Sequence, residues 1–182
     1  MMLSPRAGCP LARQLRTPDG APLGDVFSFL SGLYFRGKLA YARAFARDEA
    51  GVLVITPHAG LRPAAMPVTA DDLRAAARVD ISLANPAYRH ALEASAAELA
   101  AALGPAARIV LLGSIASDKY VSILGRVFGE RLLFPADFVG RGDMSRGGLL
   151  LRCVREGRPL DYVPVLGATR HGARPPRLTR LR

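Results

Sequence analysis

Short apolar runs alternate along this chain with stretches of helical periodicity, and Gly, Pro, Asn or Asp separate them. Val52–Ile55 stops at Thr56-Pro57, Ile109–Leu112 at Gly113-Ser114, Leu132–Phe134 at Pro135, and Tyr162–Val165 before Gly167. Unbroken runs of this length suit strands buried on both faces, as in a parallel sheet. Val26–Leu30, closed by Ser31-Gly32, reads as a fifth strand. Between the runs the spacing predicts helices. Gly37–Arg47 is one, and Thr69-Ala-Asp-Asp opens another with Thr69 as N-cap and acids in its first turn. Asn85-Pro86 opens a third, with Tyr88, Leu92, Leu99 and Leu103 on one stripe before Gly104-Pro105. Asp118–Phe128 and Met144–Glu156 complete the set.

Strands alternating with helices predict right-handed crossovers. The expected fold is therefore a single three-layer α/β domain, Rossmann-like, with a mostly parallel sheet of about five strands and helices on both faces. A chain of 182 residues can support one such core. Residues 1–24, rich in turn formers, are expected to be an irregular lead-in, 25–166 the α/β domain, and 167–182 a basic, mobile tail. Half the residues are apolar and 22% are charged, which is globular rather than disordered composition. No apolar run approaches the roughly 18 to 20 residues needed to span a bilayer. The first 16 residues carry Cys9-Pro10 and arginines where a secretory leader needs an apolar stretch, so the expected location is cytoplasmic, with no membrane partner. Cys9 and Cys153 form no disulfide framework, and His58, His90 and His171 are too scattered to suggest a metal site.

The net charge is +10, and its excess is concentrated at residues 136–182, which hold ten arginines against four acids. Five of these arginines fall between Arg170 and Arg182. Such a segment suits polyanions, which makes nucleic acid a candidate partner; a solvated tail in an arginine-rich chain is the plainer reading.

In an open parallel sheet, ligands bind beyond the carboxyl ends of the strands. The segments following the five runs combine glycine with polar or cationic residues. Ser31, Gly32 and Lys38 follow the first, and Gly113, Ser114 and Lys119 follow the Ile109 run. Of 25 basic residues only Lys38 and Lys119 are lysine, and both are expected at the start of a crossover helix, where free N–H groups already favour anions. Gly113–Lys119 half-matches a phosphate-binding loop, but Asp118 replaces its second glycine and Tyr120 its metal-binding hydroxyl, which argues against an ordinary nucleotide triphosphatase. Gly140-Arg-Gly-Asp-Met-Ser-Arg146 is the densest constellation: Arg141 and Arg146 can fork onto phosphate where Gly140 lets backbone approach. Asp143 is a candidate acid–base group or helix cap, and His58 a candidate base. Tyr34 and Phe138 are candidates for stacking on a base, or for closing the core.

Leu33-Tyr34-Phe35 with Ala40-Tyr41-Ala42, Val52–Leu61, Ile109–Gly113 with Tyr120, and Phe134-Pro135 before a glycine-bearing helix resemble small bacterial and phage α/β domains. Those domains are similar to peroxide-stress YaaA-like proteins and to a domain of archaeosine synthase. The resemblance spans roughly residues 26–152 and implies association with nucleobases, nucleotides or DNA, without an assigned reaction. The expected function is a nucleotide- or nucleobase-handling protein with an anion-binding cleft, open to enzymatic action at a base–sugar or phosphate bond. The alternatives are a non-enzymatic DNA- or RNA-binding protein using the basic C-terminal region, and a structural or partner-binding domain with no small-molecule site.

Overall fold

The computed structural model describes residues 3–4, 7–176 and 178. In chain order its elements are α1 (Pro10–Gln14), β1 (Ala21–Pro22), α2 (Leu23–Phe45), β2 (Leu53–Thr56), β3 (Gly60–Pro63), β4 (Pro67–Val68), α3 (Ala70–Ala77), α4 (Pro86–Leu103), β5 (Ile109–Val110), α5 (Asp118–Phe128), β6 (Leu132–Pro135), α6 (Asp143–Glu156) and β7 (Tyr162–Pro164).

The expected five-stranded parallel sheet does not form. Helix makes up 51% of the described residues, and the strands divide among three small sheets. β1 pairs with β4, and β2 with β3, both antiparallel; the third sheet has the order β5-β6-β7, parallel then antiparallel. Among the described residues only β5–α5–β6 is the parallel crossover that alternation implied. The Rossmann-like reading failed at two places. Val26–Leu30 lies inside α2, where Val26 is fully buried but Phe29 and Leu30 are 57% and 56% exposed, so the run has one buried face instead of two. After β2 the chain turns straight back into β3, with Thr56 opposite Gly60. The Thr56 hydroxyl donates to Gly60 O at 2.8 Å and accepts from Ala59 N at 3.2 Å, closing the turn. Gly60 has φ +67°, and a Cβ there would lie 2.1 Å from Ser95 Oγ, so only glycine fits.

Local signals elsewhere act as the residue types dictate. Thr69 and Asp72 form a reciprocal capping box at the start of α3, and Asn85 Oδ1 accepts from Ala87 N at 3.1 Å before Pro86 enters α4. The segment expected as an irregular lead-in is instead tied down: Ala12, Leu15, Ala21 and Leu23 are all buried, and β1 pairs with β4.

Two hydrophobic clusters result. The larger gathers β5, β6, α4, α5 and α6 around Leu92, Ile123, Leu132, Phe134 and Leu150. The smaller packs α1, β1 and one side of α2 against Val52, Val54 and Val68. Helix α2 serves both, giving Val26 and Leu39 to the smaller and Tyr41 to the larger. It is kinked at Gly32, whose φ of 71° and ψ of −153° end one helical stretch and start the next.

Against α2 lies α6, and glycines set their approach. A Cβ on Gly37 would lie 2.8 Å from Gly147 O, and one on Gly147 would lie 2.9 Å from Tyr34 Cα. The two backbones therefore touch. Downstream of β7, Arg170 pairs with Asp118 at the start of α5, and the chain crosses residues 139–140, where a Cβ on Gly140 would meet Ala173 O. Leu178 packs against the larger cluster. Arg177, Arg180 and Arg182, which supply much of the expected polyanion footprint, lie outside the described residues.

Gly147→Ala should destabilise the protein by about 1–3 kcal/mol through overpacking, despite a helix-propensity gain of about 1 kcal/mol. Gly125→Ala, in α5 with open space around it, should instead stabilise by about 0.5–1 kcal/mol. Denaturant midpoints of the two variants, measured side by side, check the assignment.

Candidate functional site

β5 and β6 run parallel, so the segments leaving them, Gly113–Ser117 and Ala136–Gly142, emerge at the same edge. Each leads into a helix whose N-terminus has no side-chain cap: Ser117 before α5 and Gly142 before α6. Free N–H groups at such ends attract anions. Helix α2 reaches this edge through Tyr34, whose hydroxyl donates to Leu112 O at 3.0 Å. From α5, the Tyr120 hydroxyl donates to Ser114 O at 2.7 Å. Two phenols from different helices thus hold the Leu112–Ser114 carbonyls, and a Cβ on Gly113 would lie 2.9 Å from Tyr120 Oη. Burial raises the pKa of both phenols, so they remain donors; Arg146 pulls that of Tyr34 partly back.

Lys38 lies at the seam between the two clusters. Its Nζ is 4.6 Å from the Tyr34 ring centroid, which packs on the larger cluster, and 5.0 Å from that of Phe35, which packs on the smaller. Among the described residues it has no hydrogen bond or ion pair. Burial lowers its pKa, and the positive charge of Arg146 adds to this; the carboxylate of Asp143 opposes it. Lys38, Tyr34, Asp143 and Arg146 are therefore neighbours, although more than a hundred residues separate the two pairs in sequence.

The arginines of the glycine-rich segment are less free than their sequence pattern implies. Arg146 Nε and Nη2 donate to Phe138 O at 3.2 and 3.1 Å, and its Nη1 lies 3.4 Å from Asp143 Oδ1. Its side chain is only 12% exposed. Arg141 Nε donates to Asp137 O at 2.9 Å and Nη1 to Ser145 Oγ at 3.3 Å. Both brace the turn into α6. Asp143 is the first residue of that helix rather than its cap, and is exposed. Phe138 is buried, edge-on to Tyr34 at 6.4 Å, and closes the core; no base can stack on it. Gly140, at φ +73°, carries the turn beneath Ala173.

Other candidates fall elsewhere. Lys38 is inside α2 and not at a helix start, whereas Lys119 is exposed in the first turn of α5. Ser31 and Gly32 are exposed at the α2 kink, beside an open depression of about 460 Å³ lined by Leu11, Asp25, Ser28, Phe29 and Arg36. His58 is exposed in the β2–β3 turn near Asp72 of α3, apart from the Lys38 group. Tyr88 was legible in sequence only as a helix residue, and Tyr120 only as a departure from a phosphate-binding loop and a residue of the family resemblance. The Tyr88 hydroxyl is buried near Tyr120 and has no hydrogen-bond partner among the described residues. No local spacing announces such phenols. Among the described residues no cluster of three or more His, Cys, Asp or Glu is disposed to hold a metal, and no helix is long and apolar enough to cross a membrane. No family model, curated protein or solved structure matches this chain.

Arg146→Ala should cost about 1.5–3 kcal/mol of stability, because it strands the Phe138 carbonyl. Arg141→Ala should cost less than about 1 kcal/mol, and Asp143→Asn should stay within about 0.5 kcal/mol, as exposed substitutions do. Urea denaturation of the three variants checks that order.

Proposed function

We propose that this chain handles nucleotides or nucleobases in a cytoplasmic setting, binding an anionic group of its ligand where Lys38 meets the first turn of α6. One observation carries the reading: a partly buried ammonium without an acceptor among the described residues, next to a helix N-terminus without a side-chain cap. The Asp143 carboxylate and the two rings compensate this charge only in part, which leaves room for an incoming anion. The uncapped start of α5, leaving the neighbouring parallel strand, offers N–H groups to the same ligand. Arg146 supports the site by holding the turn, leaving the direct contact to Lys38. Tyr34 is the aromatic group of the site, and its ring already carries the amine.

Nucleoside mono-, di- and triphosphates, nucleosides, inorganic phosphate and short oligonucleotides should be compared by thermal shift. A ligand at roughly a hundredfold above its Kd stabilises the native state by about 2.7 kcal/mol. Phosphorylated nucleosides are expected to raise Tm for the natural protein and to lose most of that effect in Lys38→Met, which keeps the aliphatic stem. Stabilisation by oligonucleotides alone would favour a nucleic-acid-binding role. No shift with any phosphate-bearing compound would remove the reading.

A further inference from the structure

The chain uses arginine at 23 of its 25 basic positions, yet the partly buried cation at the seam is lysine. For holding phosphate alone, arginine is the better residue: it binds in a two-pronged fork and stays charged. Lysine can do what arginine cannot, which is to shed a proton and present a lone pair. The surroundings of Lys38 suit that role. Arg141, Arg146 and Arg170 spend donors on protein oxygens. The Lys38 amine rests on the Tyr34 and Phe35 rings with no oxygen acceptor among the described residues.

We propose that Lys38 is a carbonyl-reactive amine, which condenses with the aldehyde of a phosphate-bearing small molecule to form an imine. The phosphate part of this statement rests on the anion site proposed above, with the free N–H groups at the start of α6 keeping the phosphate while the Lys38 amine turns to the carbonyl; the amine chemistry stands apart from it. In the condensation the Nζ lone pair adds to the carbonyl carbon, and the carbon–oxygen π pair moves to oxygen. That oxygen departs as water, carrying both protons from nitrogen, and C=N replaces C=O. Nothing is oxidised or reduced. Only the neutral amine attacks, and burial beside Arg146 favours the neutral form, with Asp143 opposing. Asp143 is the acid–base group on hand for proton transfer to and from the departing oxygen. Once formed, a protonated imine is a cation over the same two rings, which stabilise it.

Lys119 is the chain's only other lysine and lies exposed, so it serves as an internal control. The full chain is incubated at neutral pH with pyridoxal 5′-phosphate as the aldehyde probe, reduced with borohydride, and its peptides are mapped by mass. Parallel samples use pyridoxal without the phosphate, excess inorganic phosphate, Lys38→Arg and Lys119→Arg. Labelling of Lys38 is expected to exceed that of Lys119 by about tenfold or more, because the neutral amine is the attacking species. Lys119→Arg should retain the adduct and Lys38→Arg should lose it. Lys119 labelled as strongly as Lys38, or no adduct on Lys38, overturns the proposal. If Lys38→Arg does not fold, the ratio of the two lysines in the natural chain decides alone. Equal labelling of Lys38 by both aldehydes, unaffected by inorganic phosphate, upholds the amine and refutes the phosphate site.

Discussion

The crossing of α2 over α6 is the contact on which the remainder of the molecule depends. Gly37 and Gly147 let the two backbones touch, where any Cβ would intrude on backbone atoms less than 3 Å away. Glycine inside a helix costs about 1 kcal/mol relative to alanine, so two at one crossing are retained against local preference. The close approach sets Tyr34 and Lys38 against the first turn of α6, and it anchors the helix shared by both hydrophobic clusters. One interhelical contact thus determines both how the halves of the molecule join and which side chains meet at the joint.

Further along α2, Tyr41 strengthens the same joint. Its hydroxyl pairs with that of Tyr162 from β7 and accepts from Leu160 N at 2.7 Å, while its ring packs 4.6 Å from that of Phe45. Burial, then the bond to Tyr162, raises its pKa, so the phenol remains protonated. With Tyr34 on Leu112 O, two tyrosines seven residues apart fasten α2 to the segment leaving β5 and to β7. Lys38 lies between them in sequence, on a helix that is held at two points. A side chain on so fixed a support has few alternative positions, which suits precise chemistry better than a loop does.

The glycine-rich segment 140–148 has a different role from the one its composition suggests. Its arginines donate to the carbonyls of Asp137 and Phe138 and so rigidify the entry to α6. Gly140 admits the chain at Ala173, and Gly147 admits α2. Glycine and arginine in this segment serve close packing and bracing, whereas the Lys38 amine makes no hydrogen bond or ion pair among the described residues.

Sequence determined the local parts of this protein. Thr69, Asn85-Pro86 and Gly104 mark helix ends by chemistry confined to a turn, so α3 and α4 follow from residue type and spacing, as does α5 over Asp118–Phe128. Strand propensity likewise located β2, β5, β6 and β7. The partner of each strand was not legible, because an apolar run looks alike whether its neighbour is parallel or antiparallel, and because Gly60 turns β2 back for a reason that lies 35 residues away, at Ser95. Val26–Leu30 is helical because only one of its faces is covered, a property of the assembled smaller cluster. At the candidate site the sequence singled out Tyr34, Lys38, Asp143 and Arg146 separately. Tertiary structure brought them together and spent Arg146 donors on Phe138 O, leaving the Lys38 amine unpaired among the described residues, since hydrogen-bond partners are assigned by distance in space and not along the chain.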